Sequence, residues 1–190
     1  MADDRYVALL RGINVGRAKR VAMADLRSMV EDQGGRDVRT LLNSGNVVFA
    51  APGASPGEWA ARIAGGLNAR LGVEARVTVL TGRELEVAVT ENPLVGIATD
   101  PSRLFVAFLA DPTYRARLEP LSHRPWAPEA LAVGAHVAYL WCPDGLLESR
   151  LPEAVGRVLG DAVTIRNWAT TTKIHALTRE GQGPGNSTAG

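Results

Sequence analysis

The sequence predicts an α/β protein of the α+β kind, built from two tandem ferredoxin-like βαββαβ units with antiparallel sheets plus a C-terminal helix. Three observations predict it. Strand-length apolar runs and amphipathic helical stretches follow one another as β-α-β-β-α-β. The same order recurs in the second half of the 190 residues. Finally, Phe105-Val-Ala-Phe-Leu109 echoes Tyr6-Val-Ala-Leu-Leu10 nearly residue for residue, as an internal duplication would. The expected division is 1–95 for the first unit, 96–179 for the second unit with its C-terminal helix, and 180–190 for a disordered tail.

The first strand covers residues 5–11, and its apolar run stops at Arg11. A polar loop bracketed by Gly12 and Gly16 follows. Met23, Leu26, Met29 and Val30 then recur at helical spacing, with Gly34 and Gly35 as the stop. Residues 38–42 read as a strand, Asn43-Ser44-Gly45-Asn46 as a tight turn and residues 47–50 as the returning strand. Ser55-Pro56-Gly57-Glu58 has the form of a capping box with proline at the first helical position. Behind it Trp59, Ile63, Leu67 and Leu71 form one stripe. Gly65 and Gly66 each cost about 1 kcal/mol against alanine inside a helix, so close packing is the expected reason for them. Val77 and Val79 alternate with polar residues in a fourth strand.

A second capping box, Thr81 to Glu84, opens a helix through about Val89, and Asn92-Pro93 ends it before a linker over 96–102. After the echoed strand, Asp111-Pro112 caps a helix with Tyr114, Leu118 and Leu121 on one face. Residues 131–133 and 136–142 form a hairpin around a two-residue Gly134-Ala135 turn. Leu147, Leu151, Val155 and Leu159 carry the next helix, which Pro152 restarts, and residues 163–165 close the sheet. The last helix opens at Arg166-Asn167-Trp168 and runs to about Thr178. The tail, rich in Gly, Ser, Thr, Asn, Pro and Gln, is expected to be disordered.

Composition narrows the function. A net charge of +1 does not advertise a nucleic-acid binder. The acidic start, Met-Ala-Asp-Asp-Arg, is not a signal peptide, and no apolar run approaches the roughly 20 residues of a membrane helix. The single Cys142 suits a reducing compartment, so the expected location is the cytoplasm. Cys142 lies in an apolar strand and reads as a passive core thiol. His123, His136 and His175 lack metal-ligand spacing, and neither motif loop holds a carboxylate. No metal or cofactor is therefore expected.

The candidate site starts from topology. In a ferredoxin-like sheet, the loop after the first strand and the turn between the second and third leave the same edge. The two loops should therefore be neighbours. Arg11 offers a planar fork of donors, Gly12 and Gly16 let backbone amides approach a ligand, and Asn14 can donate or accept. Ser44 and Asn46 would join them. Arg166, Asn167, Thr170 and Lys173 form a second concentration of donors, with Arg166, Thr170 and Lys173 on one helical face at offsets of four and three. Each group also has an ordinary structural explanation. Glycines permit positive φ, hairpins favour Asn and Gly, Asn167 can cap a helix, and Trp168 with Ile174 can dock an amphipathic one.

Taken together, Arg11-Gly-Ile-Asn-Val-Gly16, Met23 with Leu26-Arg27, Ser44-Gly-Asn-Val47, Asn92-Pro93, and Arg166-Asn-Trp168 with Thr170 and Lys173 resemble the bacterial domain of unknown function 1697 family. The resemblance spans about residues 5–178. It implies a pair of ferredoxin-like units and brings no established activity. The family usually has a further glycine where this chain has Arg17, which with Lys19 and Arg20 adds a basic cluster beside Arg11.

Donors without acids bind phosphate or carboxylate well and perform acid–base chemistry poorly. The expected function is therefore binding of a small anionic, phosphate- or carboxylate-bearing molecule in a cleft between the halves. The alternative is an enzyme acting on such a molecule by positioning and charge stabilisation. Single-stranded RNA binding ranks below both, because the first and third strands offer only Tyr6 and Phe49 for stacking.

Overall fold

The computed structural model describes residues 4–14 and 20–180. β1 (Asp4–Arg11), α1 (Met23–Asp32), β2 (Arg36–Leu41), β3 (Asn46–Ala51), α2 (Pro56–Leu71) and β4 (Arg76–Thr81) build one sheet, in the order β2-β3-β1-β4. α3 (Gly82–Thr90) follows it. β5 (Leu104–Leu109), a short 3-10 turn at Pro112–Tyr114, α4 (Arg115–Ser122), β6 (Ala130–Val133), β7 (Val137–Trp141), α5 (Leu151–Leu159) and β8 (Val163–Asn167) build the other, in the order β6-β7-β5-β8, and α6 (Trp168–Glu180) ends it. Every pairing is antiparallel.

The duplication is visible in the register. Tyr6 lies between Phe49 and Thr81, and Phe105 lies between Leu140 and Asn167. Thr81 and Asn167, thus equivalent, do the same work. The Thr81 hydroxyl accepts from the Glu84 amide at 3.1 Å, and the Asn167 side-chain oxygen accepts from the Thr170 amide at 2.8 Å. Each sheet therefore ends in a side-chain-capped helix. Each half is a βαββαβ unit followed by one further helix, with α3 and α6 as counterparts.

Alternation along the central strands sorts the core into three layers. Tyr6, Ala8 and Leu10 face α1 and α2, and Ala107 and Leu109 face α4 and α5. Val7, Leu9, Val106 and Phe108 face each other's sheet across a shared core with Leu85 and Ala88 of α3 and Ile174 of α6. On this inner face the Thr78 and Thr164 hydroxyls lie 3.2 Å apart and buried. Thr78 is opposite Leu9 and Thr164 opposite Phe108, so one position of the repeat meets its own copy there. Tyr139 of β7 also crosses, donating its hydroxyl to the Ala88 carbonyl at 2.9 Å.

Four expectations change. Leu147 is 97% exposed and precedes α5, whose first turn holds Pro152, where a missing amide proton costs nothing. The β6–β7 connection has three residues, not two, closed by the Gly134 amide on the Val137 carbonyl at 2.8 Å. Arg166 and Asn167 belong to β8 rather than to the last helix, because the ladder with β5 runs on past Ile165. Arg166 therefore shares no helical face with Thr170 and Lys173. Glu180 closes α6, and the tail from 181 lies outside the described residues. Close packing accounts for one of the two α2 glycines. A Cβ on Gly66 would come within 2.8 Å of the Met29 sulfur, so α1 and α2 need that glycine, whereas a Cβ on Gly65 would meet nothing within 4 Å. Cys142 is buried, which pushes its thiol pKa up.

Candidate functional site

The loop after β1 and the β2–β3 turn are neighbours. The Leu10 amide donates to the Gly45 carbonyl at 2.8 Å. The Asn14 side chain donates to the Asn43 carbonyl at 2.7 Å and to the Val21 carbonyl at 3.0 Å, while its oxygen accepts from the Val21 amide at 2.8 Å. Ile13 is buried beneath them. Gly45 has φ +80°, and a Cβ there would meet Leu10 Cβ and Ile13 Cδ1 at 2.7 Å each, so only glycine lets the turn sit this close. Asn14, at φ 54°, spends its amide on bracing the two loops. Gly12 has φ +81°. Gly16, Arg17 and Lys19 lie outside the described residues.

Arg166 reaches into this edge from the other half. Its Nε donates to Asn46 Oδ1 at 2.6 Å, and its Nη2 to the Leu10 carbonyl at 2.6 Å and the Ser44 carbonyl at 3.1 Å. Its Nη1 donates to the Ile165 carbonyl at 3.0 Å. Asn46 is buried, and its Nδ2 donates to the Leu41 carbonyl at 2.8 Å and to Ser44 Oγ at 3.0 Å. Those two bonds orient the amide so that its oxygen meets the guanidinium. Every acceptor of Arg166 among the described residues is neutral. Desolvation lowers its pKa to about 10, which leaves it charged at neutral pH.

Arg11 makes the reciprocal crossing. Its Nη1 donates to the Val163 carbonyl at 3.0 Å and, at the limit of contact, to the Gly160 carbonyl at 3.4 Å. Its Nε and Nη2 have no acceptor among the described residues. Arg11 and Arg166 line one crevice of about 290 Å³, walled by Pro152, Gly156, Gly160, Val163 and Ile165. No acid lines it. Beyond Arg11 opens a larger hollow of about 590 Å³, lined by Gly12, Gly65, Asn68, Glu74 and the Arg76–Asp161 ion pair, closed at 2.5 Å.

The other expected residues lie apart from the crevice. Asn167 caps α6, Thr170 sits half-buried in its first turn, and Lys173 is exposed. None of the three lines the crevice. The wall from α5 was missed. Pro152 and Gly156 share a face of α5 and Gly160 caps it, a four-residue spacing that was readable in the sequence. Among the described residues no three His, Cys, Asp or Glu side chains are grouped to hold a metal, and no helix is long and apolar enough to cross a membrane. Tyr6 and Phe49 stack at 5.5 Å under Trp59 within the buried outer core, so neither is offered to a nucleic-acid base.

Comparison with known proteins agrees with this architecture. The model of the family described as "Protein of unknown function (DUF1697)" matches residues 4–139, and the chain belongs to that family. No curated protein matches it. Among solved structures it is similar to the conserved bacterial protein SP0830 from Streptococcus pneumoniae, with a TM-score of 0.70 and 22% identity over 93% of this chain and 99% of that one. At that identity the likeness shows the fold alone.

Proposed function

For this DUF1697 member, we propose that the crevice between Arg11 and Arg166 binds a small anionic molecule, with both halves, 1–95 and 96–179, contributing. One observation carries the reading. Two guanidiniums from opposite halves line one crevice, and all their acceptors among the described residues are neutral. Arg166, desolvated without a counter-ion, is costly to keep charged, and an anion entering the crevice would offset that cost. Asn46 and Ser44 support the site by orienting Arg166, and Asn14 and Gly12 by shaping the loop that presents Arg11. The unpaired Cys142 suits a cytoplasmic setting.

Isothermal titration with inorganic phosphate tests the reading, together with mass spectrometry of any small molecule retained through purification. Arg11 is exposed, so its contribution falls between the about 0–1 kcal/mol of a surface pair and the about 2–5 kcal/mol of a buried one. Arg11→Ala should therefore weaken phosphate about tenfold while the fold survives. Arg11→Lys should restore only part, lacking the planar fork. Phosphate affinity unchanged in Arg11→Ala, or no anion bound by the wild type, would overturn the proposal.

A further inference from the structure

We infer that the ligand of this crevice is a phosphomonoester, a dianion, rather than a carboxylate; the inference rests on the crevice being an anion site. Charge counting comes first. Arg11 and Arg166 bring two positive charges, and the lining brings no negative one among the described residues. Of the two acids lining the adjoining hollow, Asp161 is held by Arg76, and Glu74 lies outside the crevice lining. A single carboxylate would leave one charge uncompensated, and a phosphomonoester above its second pKa of about 6 matches both.

Donor counting agrees. Arg11 keeps its Nε–Nη2 edge without an acceptor among the described residues, which is the bidentate face of a guanidinium. Arg166 has four of its five N–H groups engaged and keeps one, on Nη1. A fork plus one further donor suits the three terminal oxygens of a phosphomonoester. A carboxylate, with two oxygens, is saturated by the fork alone.

The crevice, of about 290 Å³, opens at Arg11 onto the larger hollow of about 590 Å³, which leaves space for an organic group beside the phosphate. The room for the organic part lies against α5. A Cβ on Gly156 would meet nothing within 4 Å, so the bare helix leaves the crevice open.

The test compares methyl phosphate, dimethyl phosphate and acetate at pH 8, followed by NMR titration of the backbone amides. The ester pair differs chiefly in one charge and one terminal oxygen. Methyl phosphate should bind at least tenfold more tightly than the other two and should weaken below pH 6 as it becomes a monoanion. Gly156→Leu should abolish its binding without lowering Tm, since the side chain enters the crevice and leucine is the better helix former. Should that variant fold poorly, Arg11→Gln, at an exposed position, serves instead. Equal affinities for all three probes would overturn the phosphomonoester assignment and leave the anion site standing. Binding of none of them, or binding indifferent to both substitutions, would overturn both.

Discussion

The crevice beside Arg166 has a counterpart on the other side of the internal duplication. Leu80 lies opposite Val7 as Arg166 lies opposite Val106, so leucine and arginine occupy one position of the repeat. By the same registers Asn46 corresponds to Val137, and Arg11 to Ala110. Leu80, Phe108, Leu109 and Ala110 line the counterpart, a crevice of about 300 Å³ with Pro56 and Ala60 at the spacing of Pro152 and Gly156. Its polar side holds Asp111 and a His136–Glu84 pair at 3.5 Å, and among the described residues no arginine or lysine. One backbone framework thus carries leucine and alanine in one copy where it carries two arginines in the other. The fold does not require the arginines. Replacing a buried ionic group by apolar residues of similar volume is often neutral or stabilising, so the charged copy stands as the costlier version of the same structure. That supports a binding role for it.

The comparison can be broken most directly at Arg166. Arg166→Ala removes the donor from Asn46, Leu10 and Ser44 together and should cost about 2–4 kcal/mol in urea denaturation, from buried acceptors left unpaired. The double replacement Arg166→Leu with Asn46→Val installs the counterpart's residues and should recover most of that loss while abolishing anion binding. A double variant as unstable as the single one would show that the two crevices are not equivalent.

Tyr139 sharpens the comparison next, since its counterpart is Val48. Burial pushes the Tyr139 pKa up to about 12, above an ordinary value near 10. A raised folded-state pKa contributes stability that is whole below pH 10 and is lost as the pH climbs toward 12. The two-unit difference corresponds to about 2–3 kcal/mol. Alkaline denaturation should therefore begin with the inner layer, and Tyr139→Phe should flatten the pH dependence of stability between 10 and 12. An unaltered dependence would assign the transition to another group.

The Thr78–Thr164 contact is where the two copies agree. Either Thr→Val change alone should cost about 1–2 kcal/mol by stranding the other buried hydroxyl, and the double change less than the sum of the two. A double-mutant cycle measures this, and simple additivity would deny the contact. The smallest effects lie at the equivalent caps. Thr81→Ala and Asn167→Ala should each cost about 1 kcal/mol, by similar amounts if α3 and α6 are counterparts. Thermal unfolding of the two variants checks it.

What the sequence determined by itself was everything written in short-range spacing. Continuous apolar runs marked β1 and β5, alternation marked β4, four-residue stripes marked α2 and α5, and capping boxes placed the starts of α2 and α3. The echo of Tyr6–Leu10 in Phe105–Leu109 declared the duplication. The topology of one unit was enough to bring Asn14 beside Asn43. What only the tertiary structure decided was how the two units face each other. Arg166 meets Asn46 across 120 positions of sequence and Arg11 meets Val163 across 152, and no local pattern encodes such a pair. The inner layer is set by how side chains from both sheets interdigitate with α3 and α6, which is a property of packed volumes rather than of periodicity. The helical-face grouping of Arg166 with Thr170 and Lys173 failed for that reason. Pairing with β5 held Arg166 in a strand, and the strand turned its side chain toward the other half.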